Sequence, residues 1–378
     1  MSPDTIVVGA GVVGCAIAYE LARRGQRVVV LDRRAPGQGA TQASGGILAP
    51  YIEGHSLELR DLTGEGLVRY EAFLRTLGVS RGAPVMYERT GSLQVATTDE
   101  QLDGMRETAA FLERLGVPCD TLDAADVHRA EPALASGIRG GLFIPIHGFI
   151  GPDPFVACLV ATARSLGVDF RIGPRVTRIR ALNGPDETAR RSSQAVEVTT
   201  DVDTWSAASV VVAAGSWAGQ LHIDGVPALP VQPVKGQLLH LRNEGPRLRA
   251  VVWGARAYLV PWPDGTLLVG GTVERAGFDE STTAAGVHEM LGAAIALVEA
   301  SDRLRFLSGR AGLRPGSPDE RPLVGPSMRA PGVFFAVGHY RNGVMLAPLT
   351  AEVTADFIVD RRRDPMLELT SPQRFGDL

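Results

Sequence analysis

The sequence predicts an α/β chain built on a doubly wound parallel sheet, and three stretches carry that expectation. Thr5-Ile6-Val7-Val8-Gly9-Ala10-Gly11-Val12-Val13-Gly14 opens the chain, and the next apolar run closes on Asp32. This is a strand, glycine turn, helix and strand in the order that holds dinucleotides. Val210-Val211-Val212-Ala213-Ala214-Gly215-Ser216-Trp217 is a buried strand ending in small residues. Val333 to Val337 is a third apolar strand; it enters the glycine turn Gly338-His339-Tyr340-Arg341-Asn342-Gly343 and a helix expected to reach Val359.

In the first unit, Ile6 to Val8 form the strand, Cys15 to Arg24 the helix, Gly25 its stop, and Arg27 to Leu31 the second strand. Gly9 allows the tight turn, Gly11 close backbone approach to a pyrophosphate, and Gly14 close helix–strand packing. The helix N-terminus supplies N–H groups and a positive dipole end for phosphates, with Val12 and Val13 of the turn as further cofactor contacts. Asp32 stands where a carboxylate accepts hydrogen bonds from a ribose, whereas Arg33 and Arg34 keep a 2′-phosphate cofactor open as an alternative. The Gly/Ala/Ser-rich stretch that follows, including Ala40, Thr41, Gly45, Gly46 and Ile47, carries little side chain and can run beside an extended ligand. Gln101 to Leu115 and His288 to Glu299 have helical periodicity. Val231 to Arg242, Arg249 to Pro261 and Thr266 to Val273 read as strands, with Asp264-Gly265 as a hairpin turn. Alternation along Arg249 to Pro261 would place Arg256 and Tyr258 on one face of the sheet. Asn183 to Gln194, polar and bearing Gly and Pro, reads as a mobile loop between strands.

A net charge of −4 over 378 residues argues against a nucleic-acid surface. Among 38 basic residues Lys235 is the single lysine. Cys15, Cys119 and Cys158 are odd in number and lack metal-ligand spacing, which fits a reducing, cytoplasmic setting. The histidines His55, His128, His147, His222, His240 and His288 are scattered, so no metal site is expected. There is no visible signal peptide, and no apolar stretch approaches about 18 residues, so no membrane span is expected.

Further motifs join these: Ala43 to Pro50, Glu131-Pro132, Pro233-Val234-Lys235-Gly236, Tyr258-Leu259-Val260-Pro261 and Gly312-Leu313-Arg314-Pro315-Gly316. With the fingerprint and the Gly338 to Gly343 turn, they resemble the FAD-dependent amino-acid oxidoreductases of the D-amino-acid oxidase and sarcosine oxidase superfamily. The likeness is greatest to its glycine oxidases, associated with thiamine biosynthesis. The resemblance implies FAD rather than NAD, a small amino-acid substrate, dioxygen as partner and a homotetramer. It also implies a Rossmann-type FAD domain near 1–80, 144–218 and 310–378. An intertwined α+β substrate domain with an antiparallel sheet would take 81–143 and 219–309.

By the same resemblance, Arg314 matches the arginine that binds the substrate carboxylate, Tyr258 the tyrosine that assists it, and Arg341 a residue touching flavin and substrate. Arginine's planar fork suits a carboxylate. Val176 matches a valine whose backbone meets the adenine. Ala214 and Gly215, and Gly338 through Val344 and Met345, complete the expected cofactor wall, with His339 shaping the turn beside the isoalloxazine rather than acting as a base. No protein nucleophile or catalytic base is expected, because the flavin carries the electrons. Three departures stand out. Pro315-Gly316-Ser317 follows Arg314 where sarcosine oxidases place a flavin-linking cysteine, so attachment should be noncovalent. Ile47 and Val273 occupy methionine positions of glycine oxidases, and Arg256 replaces a histidine near the pocket mouth. A D-amino-acid or imino-acid dehydrogenase, a 2-hydroxy-acid oxidoreductase and a silent FAD-binding subunit remain alternatives.

Overall fold

The computed structural model describes residues 2–52, 56–79, 84–182 and 196–378. The expected loop at Asn183 to Gln194 and His55 lie outside the described residues. The apolar runs build a six-stranded sheet. Thr5–Val8 lies parallel between Val28–Asp32 and Ser209–Val212. Asp169–Ile172 continues the sheet on one side and Val333–Val337 on the other, with Leu323–Pro326 antiparallel at the edge.

Both faces of this sheet are buried, which is why its strands are continuous apolar runs rather than alternating ones. Val7, Val30 and Val211 pack with the helices Val12–Arg23, Pro152–Ser165 and Gly343–Ile358. Ile6, Val8, Val210 and Val212 face a second core closed by a four-stranded sheet of Val176–Ala181, Val196–Thr200, Thr204–Ala207 and His222–Ile223. The first helix starts at Val12, directly after the fingerprint's second glycine, and Gly25 stops it with φ +84°. The last helix ends at Ile358.

An eight-stranded sheet forms the other half, ordered Leu304–Gly316, Gln232–Asn243, Thr266–Gly270, Tyr258–Pro261, Val251–Trp253, Ser92–Ala96, Gly140–Ile144 and Asp120–Asp123. Ala284–Leu297 packs on it through Met290, Ala294 and Leu297, and Asp99–Arg114 through Leu102, Met105 and Leu112. The Asp264-Gly265 turn forms as the pattern requires, with Gly265 at φ +86° and Thr266 N–H donating to the Asp264 carboxylate. Leu304–Gly316 runs through position 310, and His222–Ile223 joins the four-stranded sheet, so two elements cross the segment limits expected above.

One strand divides in two. Arg249 to Pro261 is a hairpin, Val251–Trp253 paired with Tyr258–Pro261, and residues 254–257 are its turn, closed by Gly254 N–H donating to the Ala257 carbonyl. Arg256 therefore sits on a turn, and strand alternation does not govern where it points. Among the described residues no helix is long and apolar enough to cross a membrane.

Candidate active site

A cavity of about 700 Å³ begins at the C-terminal ends of the parallel strands and extends to the antiparallel sheet. That is where open α/β sheets place their ligands. Two helix starts meet it, Gly11 to Val13 from the first helix and Asn342 to Met345 from the last. Neither N-cap side chain caps its helix, and neither first turn carries an acid. Thr41 Oγ1 takes the Val12 N–H at 3.2 Å. Among the described residues the other N–H groups of those first turns have no acceptor, so they and both dipole ends are left for an anionic or strongly polar ligand. A Cβ at Gly11 would meet no protein atom closer than 3.8 Å, so it would fill the cavity itself. This cradle fits a pyrophosphate.

Asp32 closes the same end. Its carboxylate accepts from Ala10 N–H at 2.7 Å and Arg34 N–H at 2.8 Å, while burial, outweighing these bonds, raises its pKa. Arg33 lines the cavity and is exposed. Arg34 also lines the cavity, paired with Glu280 at 2.6 Å and lying over the Trp217 ring at 4.5 Å. Trp217 in turn packs on Phe278. Residues 278–280 thus reach from the antiparallel half onto the dinucleotide end, a contact absent from the sequence reading because 271–283 has no periodicity to mark it.

Gly9, Ala40, Gly45, Ile47, Val176, Ala214, Gly215, His339, Tyr340, Arg341 and Gly343 to Met345 all line the cavity. Gly14, Gly46 and Gly338 do not, and each is a packing residue instead. Added Cβ atoms there would fall 2.0 Å from the Gly9 carbonyl oxygen, 1.8 Å from that of Ile150 and 2.8 Å from Leu323 Cδ1. His339 is buried, bonds through Nε2 to Thr350 Oγ1 at 3.1 Å, and burial pushes its pKa down to about 4. It is a neutral structural imidazole.

At the far end, Leu304–Gly316 delivers Arg314 and Tyr258–Pro261 delivers Tyr258. Arg314 Nη1 donates to the carbonyls of Thr272 at 2.9 Å and Lys235 at 3.3 Å. Its Nη2 and Nε have no acceptor among the described residues. The guanidinium lies flat on Gly236, where a Cβ would fall 2.2–2.3 Å from its atoms. The Tyr258 ring occupies the space a Cβ on Gly270 would need, at 2.2 Å. A Cβ on Gly271 would lie 3.2 Å from Arg314 Nη2 and 3.4 Å from the Tyr258 hydroxyl, so both groups converge on one spot. Sequence reasoning missed these glycines; Gly236 is visible only as part of a motif and Gly270-Gly271 as a strand end. Arg341 stacks on Tyr340, 5.1 Å from the ring centroid, and donates to its hydroxyl. Arg256 and Val273 lie on the wall and are exposed. Among the described residues no three His, Cys, Asp or Glu side chains gather as metal ligands.

The chain is similar to several known proteins along almost its whole length. The bifunctional protein ThiO/ThiG of Synechocystis sp. is 34% identical over 98% of this chain, which covers 54% of that relative; the chain spans about half the length of such bifunctional relatives. The glycine oxidase of Geobacillus kaustophilus is 31% identical over 94% of this chain and 92% of its own. The crystal structure of that species' glycine oxidase superposes with a TM-score of 0.89 over 99% of both chains. The iminodiacetate oxidase of Chelativorans sp. BNC1 superposes with a TM-score of 0.86 at 26% identity, over 97% of this chain and 98% of that one. The family described as FAD dependent oxidoreductase matches residues 4–357, which include the uncapped helix starts, Asp32 and Arg314. The chain belongs to that FAD-dependent oxidoreductase family.

Proposed function

We propose that the protein oxidises glycine or another small amino acid to a 2-oxo acid, glyoxylate from glycine, and ammonia, with dioxygen reduced to hydrogen peroxide. The observation that carries this reading is Arg314, anchored through Nη1, with Nη2 beside the spot it shares with the Tyr258 hydroxyl. A fixed, half-satisfied guanidinium is a carboxylate handle. Gly9, Gly11, Val12 and Val13 would hold the pyrophosphate, Asp32 the ribose, and Asn342 to Met345 the flavin end. FAD, when bound, supplies the two-electron acceptor that dioxygen reoxidises.

The residues bind and orient. Arg314 and Tyr258 hold the carboxylate, and Arg341 closes the site beside Tyr340. Among the described residues no side chain at this end is placed as a base: His339 is neutral, buried and committed to Thr350. The amine therefore enters unprotonated, loses hydride from its α-carbon, and leaves as an imine that water hydrolyses. Amino acid, dioxygen and water balance 2-oxo acid, ammonia and hydrogen peroxide. Attachment of FAD is noncovalent, since Pro315-Gly316-Ser317 offers no thiol after Arg314. The three unpaired cysteines support a cytoplasmic setting, and the likeness to glycine oxidases supports a homotetramer.

The test is a peroxide-release screen over glycine, sarcosine, D-alanine, D-proline and 2-hydroxy acids. Turnover of an amine with peroxide released is expected. Flavin reduction without peroxide would make the protein a dehydrogenase, and reduction by 2-hydroxy acids alone would overturn the amine reading.

A further inference from the structure

The single lysine of a chain with 38 basic residues is 1% exposed, on the strand paired with the one that carries Arg314. Its Nζ is 2.7 Å from Asp279 and 3.6 Å from Glu274. Its backbone exchanges two hydrogen bonds with Glu274, each 2.9 Å. The Glu274 carboxylate accepts from the Thr272 hydroxyl and, at 2.7 Å, from Gln237 Nε2. Thr272 Oγ1 accepts the Gln237 N–H at 3.0 Å. The two carbonyls that receive Arg314 Nη1 are those of Thr272 and of Lys235 itself. Burying an ammonium is unfavourable unless carboxylates and good geometry offset it. A compact ammonium can sit between two carboxylates on one short segment, whereas a guanidinium fork is larger and planar. A composition that otherwise uses arginine keeps lysine here.

We propose that Lys235 is a positioning residue for the substrate site: it pins the 272–279 segment so that two carbonyls hold Nη1 of Arg314 and turn Nη2 and Nε toward the substrate carboxylate. This rests on the reading of Arg314 as the carboxylate handle. The hydrogen bond from Lys235 drives the Asp279 pKa down to about 2, so the pair stays charged across the working pH range. Asp279 and Glu274 are 47% and 30% exposed, so water can reach both carboxylates if the ammonium is removed.

The experiment titrates glycolate, a carboxylate without the amine, into the FAD-loaded protein and follows the flavin absorbance. Flavin content and thermal midpoint are measured on every variant. Lys235→Met is expected to raise the glycolate Kd about tenfold with flavin content unchanged, while Lys235→Met added to Arg314→Ala changes it by less than about twofold. Such non-additivity marks two residues acting as one unit. Asp279→Asn, at the exposed end of the pair, is expected to raise the Kd by about threefold and gives the answer if Lys235→Met does not fold. Equal factors in both backgrounds, or an unchanged Kd in Lys235→Met or Asp279→Asn, overturn the positioning role. If Arg314→Ala alone binds glycolate as the parent does, the carboxylate reading fails first, and the role of Lys235 fails with it.

Discussion

Gly236→Ala separates binding from stability more cleanly than any change to Arg314. A methyl group at 236 falls 2.2–2.3 Å from three guanidinium atoms and so cannot coexist with Arg314 in its present position. The clashing atoms are the far end of a flexible side chain, which can swing away at little expense to the fold. Gly236 lies inside the strand Gln232–Asn243, and its φ is outside the left-handed region. Alanine therefore fits the backbone, and it narrows the unfolded ensemble by about 0.4–1 kcal/mol. Displacing a bidentate partner from a desolvated carboxylate site costs about 2–5 kcal/mol. That corresponds to a loss of roughly thirtyfold to several-thousandfold in kcat/KM. Anaerobic flavin reduction gives the first quantity and thermal unfolding of the FAD-loaded protein the second. The expected result is a collapse of kcat/KM with the thermal midpoint unchanged or raised. A variant within about threefold of the parent in kcat/KM, or one whose midpoint falls in step with its activity, would refute the reasoning.

Asp32→Ala removes a charge-assisted acceptor worth about 1.5–3 kcal/mol, so FAD should dissociate more readily, as read by flavin fluorescence on dilution. Acid precipitation of the parent should release all yellow colour to the supernatant; colour in the pellet would mean a covalent link. Arg256→Ala should weaken any preference for D-aspartate over D-lysine, because an exposed cation on the cavity wall attracts a second carboxylate; an unchanged ratio of kcat/KM values would leave Arg256 a surface residue. Burial pushes the pKa of His147 down to about 3 and that of His339 to about 4. Between about 6.5 and those values the unfolded chain binds protons that the folded chain does not, so stability rises with pH there, by up to about 1.4 kcal/mol per pH unit for each histidine. Denaturant titrations from pH 6.5 to 4.5 should show that slope, and His147→Asn should lower it. With no base at the substrate end among the described residues, flavin reduction at subsaturating substrate should rise with pH along each substrate's own amine pKa; one shared pKa for two amines of different basicity would point to an enzyme group.

The parts of the site legible in the sequence are those whose chemistry is local. Gly9 to Gly14, the acid at Asp32 and the turn at 338–343 announce themselves because turn, helix start and strand end are neighbours in the chain. Arg314 and Tyr258, which line the cavity, stand out by their motifs and not by periodicity. What the sequence hid depends on long-range register. Gly236 meets Arg314 only because Gln232–Asn243 pairs with Leu304–Gly316, and Lys235 reaches Asp279 only across a bridge to Glu274. Gly46 and Gly338 were expected at the ligand, yet their missing side chains make room for Ile150 and Leu323. A glycine that admits a neighbour and one that admits a ligand look alike in one dimension. Arg256 was misplaced onto a strand because residues 254–257, Gly-Ala-Arg-Ala, carry no strong turn signal.

The strand order of the parallel sheet has a consequence for how the protein is made. Thr5–Val8 needs Ser209–Val212 as a neighbour, and Ser209–Val212 needs Val333–Val337. The fingerprint strand is thus synthesised well before one of its neighbours and remains an unfinished ledge, with an open hydrogen-bonding edge, until Ser209–Val212 arrives; that strand in turn waits for Val333–Val337. At ribosomal rates of about 5–20 residues per second, that wait is on the order of tens of seconds. Over that interval the nascent chain exposes edges prone to stick to other chains, a burden that falls on chaperones. The last helix start, Asn342 to Met345, closes the cavity wall, so flavin loading follows the synthesis of that helix, and flavin supply then decides how much of the new protein is stabilised.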